Sequence, residues 1–130
     1  MYDKVLEFRT KLALPVSNTP AILRPEDSSF YVRFMMEEIS EFMRAHERRD
    51  LVDAADAIGD LIYVAMGCAH HMGLPFEAIF TAIHESNMQK EPGTTRRGVS
   101  QDAIKPSTWV GPEKKIEKIL ENVYFAKSVV

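Results

Sequence analysis

Residues 51–73 read LVDAADAIGDLIYVAMGCAHHMG, a stretch with three aspartates and neither a lysine nor an arginine. At 100° per residue Asp53, Asp56 and Asp60 fall within about 60° of one another, as spacings of three and four require. The rest of the circumference is mostly Leu, Ile, Val, Ala, Met, Gly and Cys. A helix apolar nearly all round is a buried helix, so the acidic stripe is expected to face a cavity or a partner helix. Gly73 supplies a natural C-terminal stop.

Working outward, residues 30–46, FYVRFMMEEISEFMRAH, form a second helix beginning near Pro25 to Ser28, where Pro, Asp and Ser suit the first turn or cap. Glu37, Glu38 and Glu41 cluster on one side. Val32, Met35, Met36, Ile39, Phe42 and Met43 lie opposite, as an expected core face. Phe30 and Phe34 share the acidic side, so that side too should be covered. Before it, residues 2 to about 13 are helical, with Val5, Leu6, Phe8 and Leu12 as apolar positions, and a proline-rich loop follows. After it, Pro75 opens a fourth helix reaching about Met88, and Pro112 opens a fifth. Residues 89–112 form a long Gly-, Pro-, Ser- and Thr-rich loop, a length usually reserved for function or disorder. No strand pattern stands out. The expectation is an all-α chain of four to five helices in one domain, 1–130, with 89–112 a functional loop and 113–130 a C-terminal helix.

Composition bounds the class. Hydrophobic residues are 45% and charged residues 27%, ordinary for a soluble globular chain. The net charge of −3 leaves no nucleic-acid footprint. No apolar run is long enough for a membrane span, and the charged start lacks the order of a signal peptide. Cys68 is the sole cysteine, which excludes an internal disulfide or a cysteine zinc cluster. A cytoplasmic location is the simplest expectation.

Six carboxylates on two helices repel one another unless something positive sits among them. Oxygen-only ligands favour Mg²⁺, Mn²⁺ or Ca²⁺, and Mg²⁺ leaves positions for substrate phosphates. The alternative is a structural ion network with Arg44, Arg48 or Arg49. A phosphate would also need cations. Asn87 continues the apolar stripe of the fourth helix, Lys90 follows one turn later, and the loop adds Arg96, Arg97, Lys105 and Trp109. The basic groups suit phosphate oxygens and the indole suits a base; a solvated loop with the tryptophan folded onto the core is the competing reading.

The motifs EEISE (37–41), DAIGDLIYV (56–64), HESNMQK (84–90) and KPSTW (105–109) together resemble the MazG-like all-α nucleoside triphosphate pyrophosphohydrolases, in particular their phosphoribosyl-ATP pyrophosphohydrolase-like branch, over roughly residues 1–112. The resemblance implies Mg²⁺-dependent hydrolysis between the α and β phosphates, with Mn²⁺ an alternative ion. By match, Glu38, Glu41 and Asp60 would bind the metal and Glu37 would orient or deprotonate the attacking water. The usual second motif is ExxD, but Ala57 stands three before Asp60. Asp56, one turn from Asp60 on the same face, would take the fourth place. Asn87, Lys90 and Lys105 would hold phosphates, with Trp109 near the base or sugar. The implied partner is a small-molecule nucleotide, with neither a nucleic-acid polymer nor a membrane, and the implied assembly is a homodimer or homotetramer. Two other readings remain open: a non-catalytic helical module binding metal or nucleotide, favoured by Ala57, and a purely structural helical protein.

Overall fold

The structure is a computed structural model and describes residues 1–94 and 102–128. It contains α1 (Tyr2–Lys11), α2 (Pro25–Arg48), α3 (Leu51–His71), α4 (Phe76–Asn87), β1 (Glu91–Gly93), β2 (Asp102–Ile104) and α5 (Glu113–Ser128). The all-α expectation holds, with five helices and one small ladder among the described residues. The strands pair antiparallel, with Glu91 opposite Ile104 and Gly93 opposite Asp102. This ladder was not foreseen, because EPG and DAI are too short to carry an alternating pattern. Gly93 is required in it: a β-carbon there would lie 2.8 Å from the Ile104 side chain. By its contacts the chain divides into two compact units, Met1–Leu74 and Pro75–Val130.

In the first unit α2 packs along α3, and α1 lies against α3. The helix boundaries have local causes. Pro25 stands in the first turn of α2, where its missing N–H is no loss. Arg49 adopts a left-handed φ of 57° after α2. Asp50 then caps α3, its carboxylate accepting from the N–H groups of Val52 and Asp53 at 3.1 Å each. The two helices are thus separated only by Arg49 and Asp50. Gly73 has φ +68°, and a β-carbon there would sit 2.5 Å from the Thr19 carbonyl oxygen, so only glycine fits the turn that closes α3. Residues 17–21 run beside that end, Ser17 N–H donating to His70 O and Ala21 N–H to Met72 O.

The buried positions correct the helical-wheel expectations. On α2 the buried residues are Tyr31, Glu38 and Ala45, seven apart, whereas Val32, Met36, Ile39, Phe42 and Met43, the expected core face, are exposed. On α1 the buried residues are Val5 and Arg9, while Leu6, Phe8 and Leu12 are open. On α3 burial is concentrated in the second half: Leu51, Val52, Ile58 and Ile62 are exposed, and the buried residues are Ala57, Val64, Met66, Gly67, Ala69 and His70. The physical reason is that α2 meets α3 on one face only, partly through small residues, Ala45 and Ala57, which leaves the opposite apolar sides uncovered within one chain.

In the second unit α4 packs on α5. The Lys115 ammonium meets the Glu85 carboxylate at 2.5 Å. The buried Ser86 hydroxyl donates to Val110 O at 2.8 Å and its carbonyl accepts the Trp109 indole N–H at 2.9 Å. The segment before α5 is thereby fastened to α4.

Candidate active site

Glu38 is the centre of the acidic cluster. It is only 7% exposed, placed inward by its position between Tyr31 and Ala45 on the buried stripe of α2. Burial pushes its carboxyl above the ordinary value, and the charges of Glu41, Asp60, Glu37 and Asp56 push it further. The other carboxylates singled out in the sequence as metal ligands or as the catalytic group thus all act on Glu38, two from its own helix and two from α3. Asp60 lines a cavity of about 760 Å³ together with Glu38. Glu41 and Asp56 line a smaller recess with Asp53, Arg44 and Arg48.

The cations answer part of the question that the acidic stripe raises. Arg48 holds Asp53 at 2.7 Å, and Arg44 reaches Glu41 at 3.7 Å. Asp53, the member of the stripe farthest from the motifs, is therefore an ion-pair residue. Glu37, Glu38, Asp56 and Asp60 have no basic partner among the described residues. Their donor chemistry, oxygen only and with excess negative charge, suits a hard divalent cation. In the side-chain positions adopted, no group of three or more His, Cys, Asp or Glu among the described residues is set to hold a metal ion.

Ala57, where the resembling family has its acid, is 2% exposed. A carboxylate at that position would be buried, whereas Asp56 beside it is exposed.

The remaining predicted residues lie in the second unit. Asn87 ends α4 and is exposed, Lys90 follows and is half-buried, and the carbonyl of Asn87 accepts the Lys90 N–H at 3.0 Å. The Lys105 ammonium lies 4.0 Å over the Trp109 ring. Trp109 is thus tied to its own unit by both its N–H and one ring face, as the folded-on reading of that tryptophan has it. Arg96 and Arg97 lie outside the described residues.

Sequence reading missed Arg9 and Tyr31. Arg9 is 6% exposed, and its Nε and Nη2 donate to Pro15 O at 3.1 and 2.5 Å. Tyr31 shares a 3.3 Å hydrogen bond with His71 Nδ1, and burial raises its phenol above the usual value. Both line the cavity that Glu38 and Asp60 line. The one available signal was the four-residue step from Val5 to Arg9. His70 stacks on Tyr2 with centroids 3.6 Å apart and bonds Tyr2 O through Nε2 at 3.0 Å.

A helical chain with paired acidic motifs facing each other beside a nucleotide-sized cavity has the features of the all-α nucleotide pyrophosphohydrolases. Comparison with known families settles the membership: the model of the phosphoribosyl-ATP pyrophosphohydrolase family matches residues 5–87, well over half of the chain, and the chain belongs to that family. It is a nucleotide pyrophosphohydrolase. A search of the curated proteins gave no match. The matched span includes α1 to α4 with both acidic motifs and ends at Asn87. No helix among the described residues is long and apolar enough to cross a membrane.

Proposed function

We propose that the protein hydrolyses a nucleoside triphosphate, or a related nucleotide, between its α and β phosphates with the help of Mg²⁺, Mn²⁺ being able to substitute. The observation that carries this reading is the buried Glu38 set among four other carboxylates and given no cation. Such crowding is unfavourable in the protein alone and becomes favourable when a divalent ion enters.

Glu38, Glu41, Asp56 and Asp60 would hold the ion. When bound, it would polarise phosphoryl oxygens and lower the pKa of a water. Glu37, exposed beside Glu38, orients the attacking water and accepts its proton. The water oxygen forms a bond to phosphorus as the bridging α–β oxygen bond breaks, so that monophosphate and pyrophosphate separate. By the role that the family likeness implies, Lys90 and Lys105 would neutralise charge on the leaving group and the Asn87 amide would donate a hydrogen bond to a phosphate oxygen. Any role of Trp109 at the base or sugar requires Lys105 to leave its ring. The protein works in the cytoplasm as an oligomer of identical chains, a homodimer or homotetramer, a proposal supported by the uncovered apolar faces of α2 and α3.

The test is product analysis on a panel of ribo- and deoxynucleoside triphosphates with and without Mg²⁺, assaying pyrophosphate separately from phosphate. Asp60→Asn should lower metal-dependent pyrophosphate release by at least about a hundredfold while retaining helical circular dichroism. Turnover unchanged in that variant would refute the site. Ala57 favours one second reading, a binding module of the same fold, which nucleotide binding without any product would support.

A further inference from the structure

The carboxylates of the acidic cluster border two different surroundings. Glu38 and Asp60 line the large cavity, whose wall carries the rings of Phe8, Phe30, Phe34 and Tyr63. Glu41 and Asp56 line the smaller recess, and every residue around it is charged, the others being Arg44, Arg48 and Asp53. The row that leads into the recess is written in α2. Glu37, Glu41, Arg44 and Arg48 follow at steps of four, three and four, which sets them along one side of the helix. Two carboxylates thus give way to two guanidiniums, with about 4.5 Å of helical rise between Glu41 and Arg44.

The two arginines are engaged differently. Arg48 donates a hydrogen bond to Asp53 at 2.7 Å and is committed to that pair. Arg44 approaches Glu41 only to 3.7 Å, a contact of charge without a hydrogen bond, and the two side chains are 56% and 50% exposed. Such a pair holds weakly. Glu41 cannot serve a divalent cation and Arg44 equally, and a guanidinium released from Glu41 keeps its charge and its planar fork of donors. It then needs another anion, and the fork matches phosphate oxygens.

Resting on the hydrolytic reading above, we propose that the recess receives the pyrophosphate end of the nucleotide and that Arg44 binds it. When the bond between the α and β phosphates breaks, negative charge moves onto the bridging oxygen and leaves with the pyrophosphate, so a fixed cation is most useful on that side. Arg44 stands on the same helix as Glu37, Glu38 and Glu41, whereas Lys90 and Lys105 belong to the second unit and Lys105 lies over Trp109. The aromatic wall of the large cavity suits the nucleoside. The substrate therefore has a direction across the α2–α3 pair, nucleoside towards the rings and leaving group towards the arginines.

The experiment uses the full chain and the variant Arg44→Gln, whose helical content is checked by circular dichroism. Calorimetry measures Mg²⁺ alone, then inorganic pyrophosphate at saturating Mg²⁺, then the four ribonucleoside monophosphates. The substitution should not weaken Mg²⁺ binding, because it removes a competitor for Glu41. It should raise the Kd of pyrophosphate by about tenfold or more and leave the monophosphates, which lack that end, unchanged. Pyrophosphate that fails to bind the wild type, or that binds the variant equally well, overturns the proposal. So does a joint loss of Mg²⁺ and pyrophosphate, which would make Arg44 a structural support of Glu41, and so does an equal loss for the monophosphates. Triphosphate hydrolysis by both proteins separates the two readings. If no triphosphate is cleaved yet pyrophosphate binding depends on Arg44, the hydrolytic reading fails and the recess stands. If triphosphates are cleaved with the same KM and the same inhibition by pyrophosphate in both proteins, the recess fails alone.

Discussion

On the metal-binding reading proposed above, Glu38 would serve the ligand-bound protein at the expense of the free one. Its carboxylate is buried and lies near four others, so replacing it with an uncharged isostere removes repulsion and desolvation together. Glu38→Gln should therefore stabilise the metal-free protein by ~1 kcal/mol, a rise of a few degrees in Tm. The same substitution should abolish the additional rise that MgCl₂ produces in the wild type. Thermal melts of both proteins with and without MgCl₂ check this. A variant that melts lower and still responds to the salt would place Glu38 in a structural role.

At the scale of elements, the ion pair between α4 and α5 links folding to pH. The Lys115 ammonium, by hydrogen bond and then by charge, holds the Glu85 carboxyl below its ordinary value of 4.5. A carboxylate depressed in the folded state binds protons more readily when unfolded. Its contribution is therefore present above the ordinary value and is lost as pH falls through the folded one. Both side chains are half exposed, so the contribution is small. In Lys115→Ala, an NMR titration should find Glu85 moved back up towards 4.5; an unmoved titration would mean that the pair does not persist in solution.

Helix ends were legible in the sequence because their causes are local: Pro25, Asp50 and Gly73 act through their own backbone or cap. The faces were less so. A helical wheel ranks sides by apolarity, and α2 has apolar residues on two sides; which one is covered in the chain depends on where α3 lies. Glu38 therefore appeared as part of an acidic side and is in fact on the buried one. The acidic motifs were found because spacing alone makes them neighbours. Arg9 was not, because nothing in an isolated helix distinguishes a buried arginine from a solvated one; its meaning comes from Pro15 and from the cavity.

At the largest scale, large apolar residues remain exposed on both long helices. Val32, Met36, Ile39, Phe42 and Met43 on α2, with Ile58 and Ile62 on α3, leave more apolar area in water than scattered surface residues would. Light scattering at micromolar concentration should give the mass of two or more chains. Ile39→Glu combined with Met43→Glu should shift that mass towards one chain while helical content persists. A wild-type mass of one chain, 14.8 kDa, would refute the assembly.

Helix α1 contributes Val5, Phe8 and Arg9 to the cavity wall, yet only two of its ten residues are buried. The cavity is therefore bounded on one side by a short helix with few buried residues, held to α3 by the Tyr2–His70 stack. Segments with few buried contacts open at a fraction of the free energy of global unfolding. The α1 wall is thus the part of the cavity boundary expected to open before the α2–α3 pair does.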